Sequence, residues 1–170
     1  QQVDFEDIYC EGITKITTED MDYARTMDMT IKLLAICKRD GDHLHAIVAP
    51  YLLGKEHPLY NVNDVFNAIF VHGNVLGDAM FYGSGAGKLP TASAVVADVV
   101  DEAKHLHENM PNEWTNQPLP LADPDQVSGR FFVRVQTTDL SLIRSAFGAI
   151  EQIQVPKAEG ETGFVTAQMT

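Results

Sequence analysis

Residues 80–94, MFYGSGAGKLPTASA, constrain the fold more than any other part of this chain. A short strand-forming run at residues 79–82 is followed by glycines at alternate positions, Gly83, Gly85 and Gly87. Glycine permits positive φ and lets another molecule approach bare backbone amides. A helix that begins just behind them leaves unpaired N–H groups and a partial positive charge. The segment therefore predicts a strand-loop-helix turn that suits an anion or a polarised carbonyl.

The loop does not match the common nucleotide-binding motifs. A P-loop requires GxxxxGK followed at once by Ser or Thr. Here the interval from Gly83 to Gly87 is one residue too short, and Leu89 stands where the hydroxyl should be. The dinucleotide fingerprint GxGxxG fails because Lys88 occupies the third glycine position. The glycine spacing by itself is equally compatible with a tight turn that binds no ligand.

The first half of the chain is predicted to be rich in antiparallel hairpins. Asp40-Gly41-Asp42 is a strong turn signal between strands predicted at residues 31–38 and 43–51. The earlier strand is a continuous apolar run, which predicts burial on both of its faces. Further strands are predicted at residues 3–10, 67–71 and 79–82, and a first helix is predicted to be capped by Thr17 or Thr18.

A long helix is predicted over residues 91–108, directly after Pro90, a residue favoured at helix starts. It carries an apolar stripe formed by Val95, Val99, Ala103 and Leu106. Residues 110–126 contain four prolines and little periodicity, which predicts a linker. Beyond it, a strand at 130–138, a helix at 140–150 opened by Asp139, and strands at 153–155 and 163–169 give a β-α-β-β order.

Composition narrows the class of partner. The 170 residues include 45% hydrophobic residues, enough for a globular core, and carry a formal net charge of −12, which argues against nucleic acid and anionic membranes. No apolar run approaches the roughly 18 residues of a membrane span, and no signal peptide is evident. Cys10 and Cys37 lie in predicted strands and are interpreted as reduced core residues, so a cytoplasmic location is predicted.

Residues 65–100 resemble the homoserine dehydrogenase family, and the likeness extends back in order through residues 57–68, 31–37 and 7–17. The resemblance implies an NAD- or NADP-dependent oxidoreductase that interconverts L-homoserine and L-aspartate 4-semialdehyde in threonine and methionine biosynthesis. Family members also carry a Rossmann domain and an acidic segment with a catalytic lysine, neither of which is found here. We therefore expect a C-terminal fragment that is inactive alone, with its catalytic residues upstream of Gln1.

The C-terminal part resembles the beginning of an ACT domain, a ferredoxin-like regulatory module. The family usually has Pro-Gly shortly after the aspartate, whereas Leu140-Ser141-Leu142 follows Asp139 here, which puts effector binding in doubt. The predicted fold class is thus α+β, a mixed open sheet with helices followed by a partial ACT-like domain. The predicted domains are a substrate-binding and dimerisation region at 1–109, a linker at 110–126 and the ACT-like part at 127–170.

The resemblance implies that Gly85, Gly87 and Thr91 lie beside the nicotinamide of the cofactor. Thr91 is open to a second interpretation, as a helix cap. Glu11 is interpreted as structural, because the family's substrate-binding acids belong to the absent upstream segment. No metal site is predicted: His43 and His45 share a strand face but lack a third ligand, and His105 and His107 point in different directions on a helix.

The resemblance further implies a homodimer or larger homo-oligomer. Two alternatives to the homoserine dehydrogenase interpretation stay open. One is an amino-acid-binding regulatory or dimerisation module without catalysis, and the other is a different dehydrogenase that shares the substrate domain. The sequence does not discriminate NAD from NADP, nor does it decide whether threonine inhibits.

Overall fold

The computed structural model of the protein describes residues 3–109, 115–156 and 158–169. Residues 110–114 of the predicted linker therefore lie outside the described residues. The helices are α1 (Thr18–Thr26), α2 (Lys88–Lys104) and α3 (Leu140–Phe147), and the strands are β1 (Tyr9–Cys10), β2 (Met29–Asp40), β3 (His43–Gly54), β4 (Phe66–Gly73), β5 (Gly77–Ser84), β6 (Phe132–Val135), β7 (Ile150–Ile153) and β8 (Thr162–Thr166). This content confirms the predicted α+β class.

The chain divides into two compact units. The first unit combines Gln1–Gly54 with Asn116–Thr170, and the second unit is the intervening segment Lys55–Thr115. The C-terminal β-α-β-β segment thus shares a unit with the N-terminal third of the chain.

The first sheet of the first unit has the strand order β1-β3-β2. β2 and β3 form the predicted hairpin, in which Asp40 pairs with His43 and Gly41 takes a φ of +56°. The strand predicted at residues 3–10 is wrong over most of its length, since Phe5–Asp7 forms a 3₁₀ turn. Asp4 causes this, because its carboxylate accepts a hydrogen bond from the Glu6 N–H at 3.2 Å and so favours a turn over a ladder.

Burial of the β2 strand on both faces is also wrong. Leu33 and Cys37 lie on one face of β2 and are exposed, Leu33 by 48%, whereas Leu53 on the opposite face of the sheet is buried. A continuous apolar run indicates a β-strand, but it does not show whether a second layer of the protein covers both faces of that strand. Cys10 and Cys37 are accordingly exposed free thiols and not the core residues that were predicted.

Helix α1 begins as its sequence predicts. Thr17 is the N-cap, and its backbone N–H donates to the Asp20 carboxylate at 2.8 Å while its hydroxyl accepts from the Asp20 N–H at 3.5 Å. This reciprocal pair is a capping box, which satisfies two backbone donors at once. The helix buries Tyr23 and Ala24.

The C-terminal sheet has the order β6-β8-β7, with β8 in the centre. On one face Phe132 meets Tyr23 of α1, with ring centroids 5.2 Å apart. On the other face Phe164 meets Phe147 of α3 at 5.1 Å. The sheet is therefore held between α1 and α3, and the predicted β-α-β-β order is confirmed with a shorter helix.

Helix α3 ends at Phe147 because Gly148 adopts a φ of +71°, which only glycine takes readily. Ile150, predicted as the last residue of the helix, instead opens β7. The strand expected at 153–155 consequently lies three residues earlier.

The second unit contains the β4-β5 hairpin and α2. Helix α2 begins at Lys88, three residues before the predicted start, so that Pro90 lies inside its first turn, where proline is tolerated. The helix ends at Lys104, four residues before the predicted end, so Leu106 of the predicted stripe lies beyond it. The part of the stripe that lies on α2 is exposed, with Val99 at 63%. None of the helices in the described ranges is long and apolar enough to cross a membrane.

Candidate functional site

The loop between β5 and α2 has a defined backbone path. As β5 ends, the Ser84 hydroxyl donates to the Ala86 carbonyl at 3.1 Å, and the Gly85 N–H donates to the Val65 carbonyl at 3.2 Å. These two bonds tie the loop to itself and to the segment that leads into β4. The predicted strand-loop-helix turn is confirmed.

The three glycines of the loop differ in why glycine is needed. Gly87 adopts φ +119° and ψ 156°, a region that is essentially restricted to glycine. Gly85 lacks a positive φ, but a Cβ there would lie 2.7 Å from Cγ of Asn67. Gly83 has neither constraint, since a Cβ would meet nothing within 4 Å. Within the described residues, Gly83 therefore leaves open space beside the loop.

Thr91 does not cap the helix. The N-cap is Gly87, and Thr91 is the fourth helical residue, whose N–H donates to the Gly87 carbonyl at 3.1 Å. The alternative interpretation of Thr91 as a cap is therefore wrong. Its exposed hydroxyl is left available for another role.

The partial positive charge at the N-terminus of α2 is not neutralised by its own first turn. Its first turn contains no acidic residue, and no side chain caps it. Among the described residues, the N–H groups of Lys88 and Leu89 have no acceptor, and Pro90 has no N–H to offer. Unpaired N–H groups and the helix dipole together favour an anion or a carbonyl oxygen at this position.

The other residues singled out from the sequence lie elsewhere. Glu11 belongs to the first unit, where its N–H donates to the Val48 carbonyl at 2.7 Å and extends the β1-β3 pairing. Its carboxylate accepts from the Tyr9 hydroxyl at 3.2 Å, and this bond is the main cause of a raised Tyr9 pKa. No group of three or more His, Cys, Asp or Glu side chains suited to a metal occurs in the part of the chain that the structure describes.

Sequence reasoning missed a cluster around Arg134 in the first unit. The Arg134 guanidinium donates to Asp20 at 2.7 Å, to Thr17 at 3.0 Å and to Glu161 at 2.9 and 3.2 Å. The Glu161 carboxylate is the main cause of a raised Arg134 pKa. Burial alone would raise the pKa of Asp20, but the hydrogen bonds from Arg134 and Thr17 outweigh it and leave that pKa lowered.

This cluster joins residues that no local pattern connects, because Arg134 and Asp20 are 114 residues apart in the sequence. Asn67 was missed for a similar reason. Its position in a strand pattern gives no sign that its side chain reaches Gly85.

The first unit also contains a wide groove of about 1380 Å³ between its two sheets. Ile47 and Tyr51 line one wall, and Phe132 and Val165 line the other. Burial raises the pKa of Tyr51.

Comparison with known proteins decides the family. A family model described as homoserine dehydrogenase matches residues 1–100, which is more than half of the chain. The chain belongs to the homoserine dehydrogenase family. Homoserine dehydrogenases are oxidoreductases, and this assignment removes the alternative of a different dehydrogenase.

Individual homoserine dehydrogenases agree with this assignment. The chain is 43% identical over 145 residues to the homoserine dehydrogenase of Corynebacterium glutamicum, covering 81% of this chain and 33% of that protein. It is 36% identical over 140 residues to that of Bacillus subtilis, covering 81% of this chain and 32% of that protein. The chain thus spans about a third of the length of the curated relatives that it matches.

Solved homoserine dehydrogenase structures match nearly the whole chain. The crystal structure from Thiobacillus denitrificans aligns with a TM-score of 0.78 and 28% identity, covering 98% of this chain and 41% of that one. The structure from S. aureus at pH 7.5 aligns with a TM-score of 0.73 and 27% identity, covering 99% of this chain and 43% of that one. The aligned region therefore includes the C-terminal sheet as well as the glycine loop.

Proposed function

We propose that this chain is the C-terminal part of a homoserine dehydrogenase that uses NAD or NADP to interconvert L-homoserine and L-aspartate 4-semialdehyde in threonine and methionine biosynthesis. The observation that carries the proposal is the family match over residues 1–100, which includes the glycine loop and the start of α2. The loop would form the side of the active site against which the cofactor rests.

The residues of the loop fit a nicotinamide cofactor. Open space at Gly83 and unpaired N–H groups at Lys88 and Leu89 provide an uncrowded backbone surface with donor groups. Gly85, Gly87 and Thr91 are the residues proposed to hold the cofactor. Gly87 sets the path of the loop with its positive φ, Gly85 leaves bare backbone for close approach, and the Thr91 hydroxyl donates or accepts a hydrogen bond. When bound, the nicotinamide supplies or accepts the hydride.

In the proposed reaction, this chain would help to orient the cofactor and the substrate, and it would not donate or accept the proton. Fixing the two reactants in a productive orientation lowers the barrier even without a protein proton donor. We place the proton-donating lysine and the substrate-binding carboxylates in the two thirds of the relatives' length that this chain does not match. No described residue is assigned a catalytic role, and no metal ligand is assigned either.

Two apolar surfaces that are exposed in this chain would be covered in the parent protein. The stripe on α2 would pack against the nucleotide-binding domain, and the open face of the β1-β3-β2 sheet would lie in a homodimer or larger homo-oligomer. The functional division proposed is 1–109 for substrate binding and dimerisation, 110–126 as a linker and 127–170 as an ACT-like part. The net charge of −12 is unfavourable for nucleic acid or anionic membranes, and a cytoplasmic location is proposed.

The test compares the 170-residue chain with the full parent enzyme. Oxidation of L-homoserine is followed by the absorbance of the NADH or NADPH that forms. The parent enzyme is expected to turn over substrate, and the 170-residue chain is expected to be inert. Turnover by the 170-residue chain would contradict the proposed division of labour, and an inactive parent enzyme would contradict the proposed function.

A second candidate, an amino-acid-binding regulatory or dimerisation module without catalysis, is favoured by the groove between the two sheets of the first unit. Titration calorimetry with threonine separates the candidates. Saturable binding to the chain, together with an inactive parent protein, would support the regulatory module.

A further inference from the structure

We propose that Asn67 is a positioning residue for the glycine loop. Its carboxamide occupies the space that a side chain at position 85 would need, and this contact sets the loop that leads into α2. The effect on cofactor binding rests on the proposed function, whereas the effect on the loop itself does not.

The contact explains why position 85 is glycine. The backbone of Gly85 is outside the left-handed region, so its conformation alone would accept alanine. A Cβ at that position would lie 2.7 Å from Cγ and 3.3 Å from Cβ of Asn67. Real Cβ atoms essentially never approach another heavy atom within 3.0 Å, so the exposed Asn67 carboxamide would have to rotate out of its place beside the loop. The need for glycine at 85 is therefore conditional on Asn67.

One long hydrogen bond orients the carboxamide, and its place across the ladder leaves it room. Asn67 pairs with Gly83 across the β4-β5 ladder, so its side chain faces a residue that has none. Its Nδ2 also points to the Val65 carbonyl at 3.5 Å, the same oxygen that accepts from the Gly85 N–H at 3.2 Å. Asn67 and Gly85 thus donate to the same acceptor, the Val65 carbonyl.

The consequence reaches α2 because the intervening segment is short. Only Ala86 and Gly87 separate Gly85 from Lys88, the first residue of the helix, and Ser84 already ties down the Ala86 carbonyl. A displaced Gly85 therefore moves the N–H groups that the helix start presents. Asn67 acts on the cofactor through the loop and does not need to touch it.

The test is a double-mutant cycle in the full parent enzyme, using Asn67→Ala, Gly85→Ala and the double variant. Gly83→Ala is the matched control for the amide-exchange readout, because a Cβ at that position meets no protein atom within 4 Å. The readouts are amide hydrogen exchange over residues 85–91 without cofactor, and the KM for NAD or NADP. Thermal unfolding is measured for every variant so that global destabilisation is recognised.

Gly85→Ala alone is expected to speed exchange in the loop and to raise the cofactor KM about tenfold, with a smaller effect on kcat. In the Asn67→Ala background the same substitution is expected to add less than about twofold, because the obstructing carboxamide is gone. Asn67→Asp keeps the volume but replaces a donor by an anion facing the Val65 carbonyl, so it should also loosen the loop.

Equal penalties for Gly85→Ala in both backgrounds would overturn the proposal. An exchange effect that depends on Asn67, in an enzyme that shows no NAD- or NADP-dependent activity, would leave the positioning role standing and reject the proposed function. If Gly83→Ala speeds exchange as much as Gly85→Ala does, the contact with Asn67 is not the cause and the proposal fails.

Discussion

The phenol ring of Tyr23 covers Gly163 so closely that a Cβ at position 163 would lie 2.6 Å from Cζ of the ring. Tyr23 is only 1% exposed, and the Arg134 guanidinium stands 5.8 Å from its ring centroid. The absence of a side chain at 163 is therefore what lets α1 rest on the C-terminal sheet. This contact is one of those that join the first 54 residues and the C-terminal segment in one unit, together with the Arg134-Asp20 hydrogen bond.

Gly163→Ala is expected to destabilise the protein by about 2 kcal/mol, because a buried ring has little room to move and overpacking a core costs 1–3 kcal/mol. Urea unfolding of the 170-residue chain measures the change. Gly12→Ala is the matched control, since a Cβ at Gly12 meets nothing within 4 Å. Equal stability for the two variants would contradict the importance of the Tyr23 contact.

Arg134→Met is expected to lower the free energy of unfolding by about 3 kcal/mol, because it leaves two carboxylates facing each other without a cation. Their side chains are 17% exposed for Asp20 and 7% exposed for Glu161, so water screens them poorly. Arg130→Met is the control, because the Arg130-Glu151 pair is more than half exposed and should contribute at most about 1 kcal/mol. Chemical denaturation of both variants makes the comparison, and similar losses would reject a special role for Arg134.

The ionisation of Asp20 should make the free energy of unfolding depend on pH in the acidic range. Its pKa is lowered below the usual value of 3.8 in the folded state, so the folded state favours the charged form. The resulting stabilisation is fully present above the unfolded pKa and is lost as pH falls through the folded pKa. Asp20→Asn should therefore be less stable than wild type at pH 7 and lose less stability between pH 5 and strong acid, as measured by urea unfolding at several pH values. Parallel pH profiles for the two proteins would show that the ionisation of Asp20 contributes nothing.

Gly87→Ala is expected to cost about 1–3 kcal/mol, because its backbone angles lie in a region that an L side chain does not tolerate. Thermal unfolding gives the magnitude, with Gly83→Ala as the neutral comparison from the same loop. If Gly87→Ala is tolerated as well as Gly83→Ala, the loop does not need its positive φ.

Thr91→Val tests whether the hydroxyl has a role outside the helix. Because Thr91 is not the N-cap and its N–H bond is preserved, stability should change by less than about 0.5 kcal/mol. If the hydroxyl contacts the cofactor, the KM for NAD or NADP in the parent enzyme should rise while stability stays constant. An unchanged KM would remove Thr91 from the proposed cofactor contacts.

Local features of the fold were predictable from the sequence. The turn at Asp40-Gly41-Asp42 and the cap at Thr17 rest on residues that act on their own neighbours in the chain, so the pattern contains the cause. The strand-loop-helix turn was found for the same reason. Its helix began earlier than predicted because Pro90 was taken as preceding the helix and not as part of its first turn.

The remaining features depend on contacts between distant residues. Leu33 is as apolar as a core residue, but nothing in its own strand tells whether another layer covers it. Gly85 was singled out from the sequence as a cofactor contact, whereas the structural reason for a glycine there lies in Asn67, eighteen positions away on the partner strand. No local sequence pattern singles out Arg134, because Asp20 and Glu161 come close to it only when the first unit folds.

The discontinuous make-up of the first unit has a consequence for how the chain matures during synthesis. Domains generally fold as units while the ribosome adds residues from the N-terminus. Here the second unit, Lys55–Thr115, is complete before the strands that carry Arg134 and Gly163 have been made. Helix α1 therefore cannot bury Tyr23 against the C-terminal sheet until β6 and β8 have been made. Within these 170 residues, the segment at 1–54 is made before the second unit but completes its packing only after the second unit.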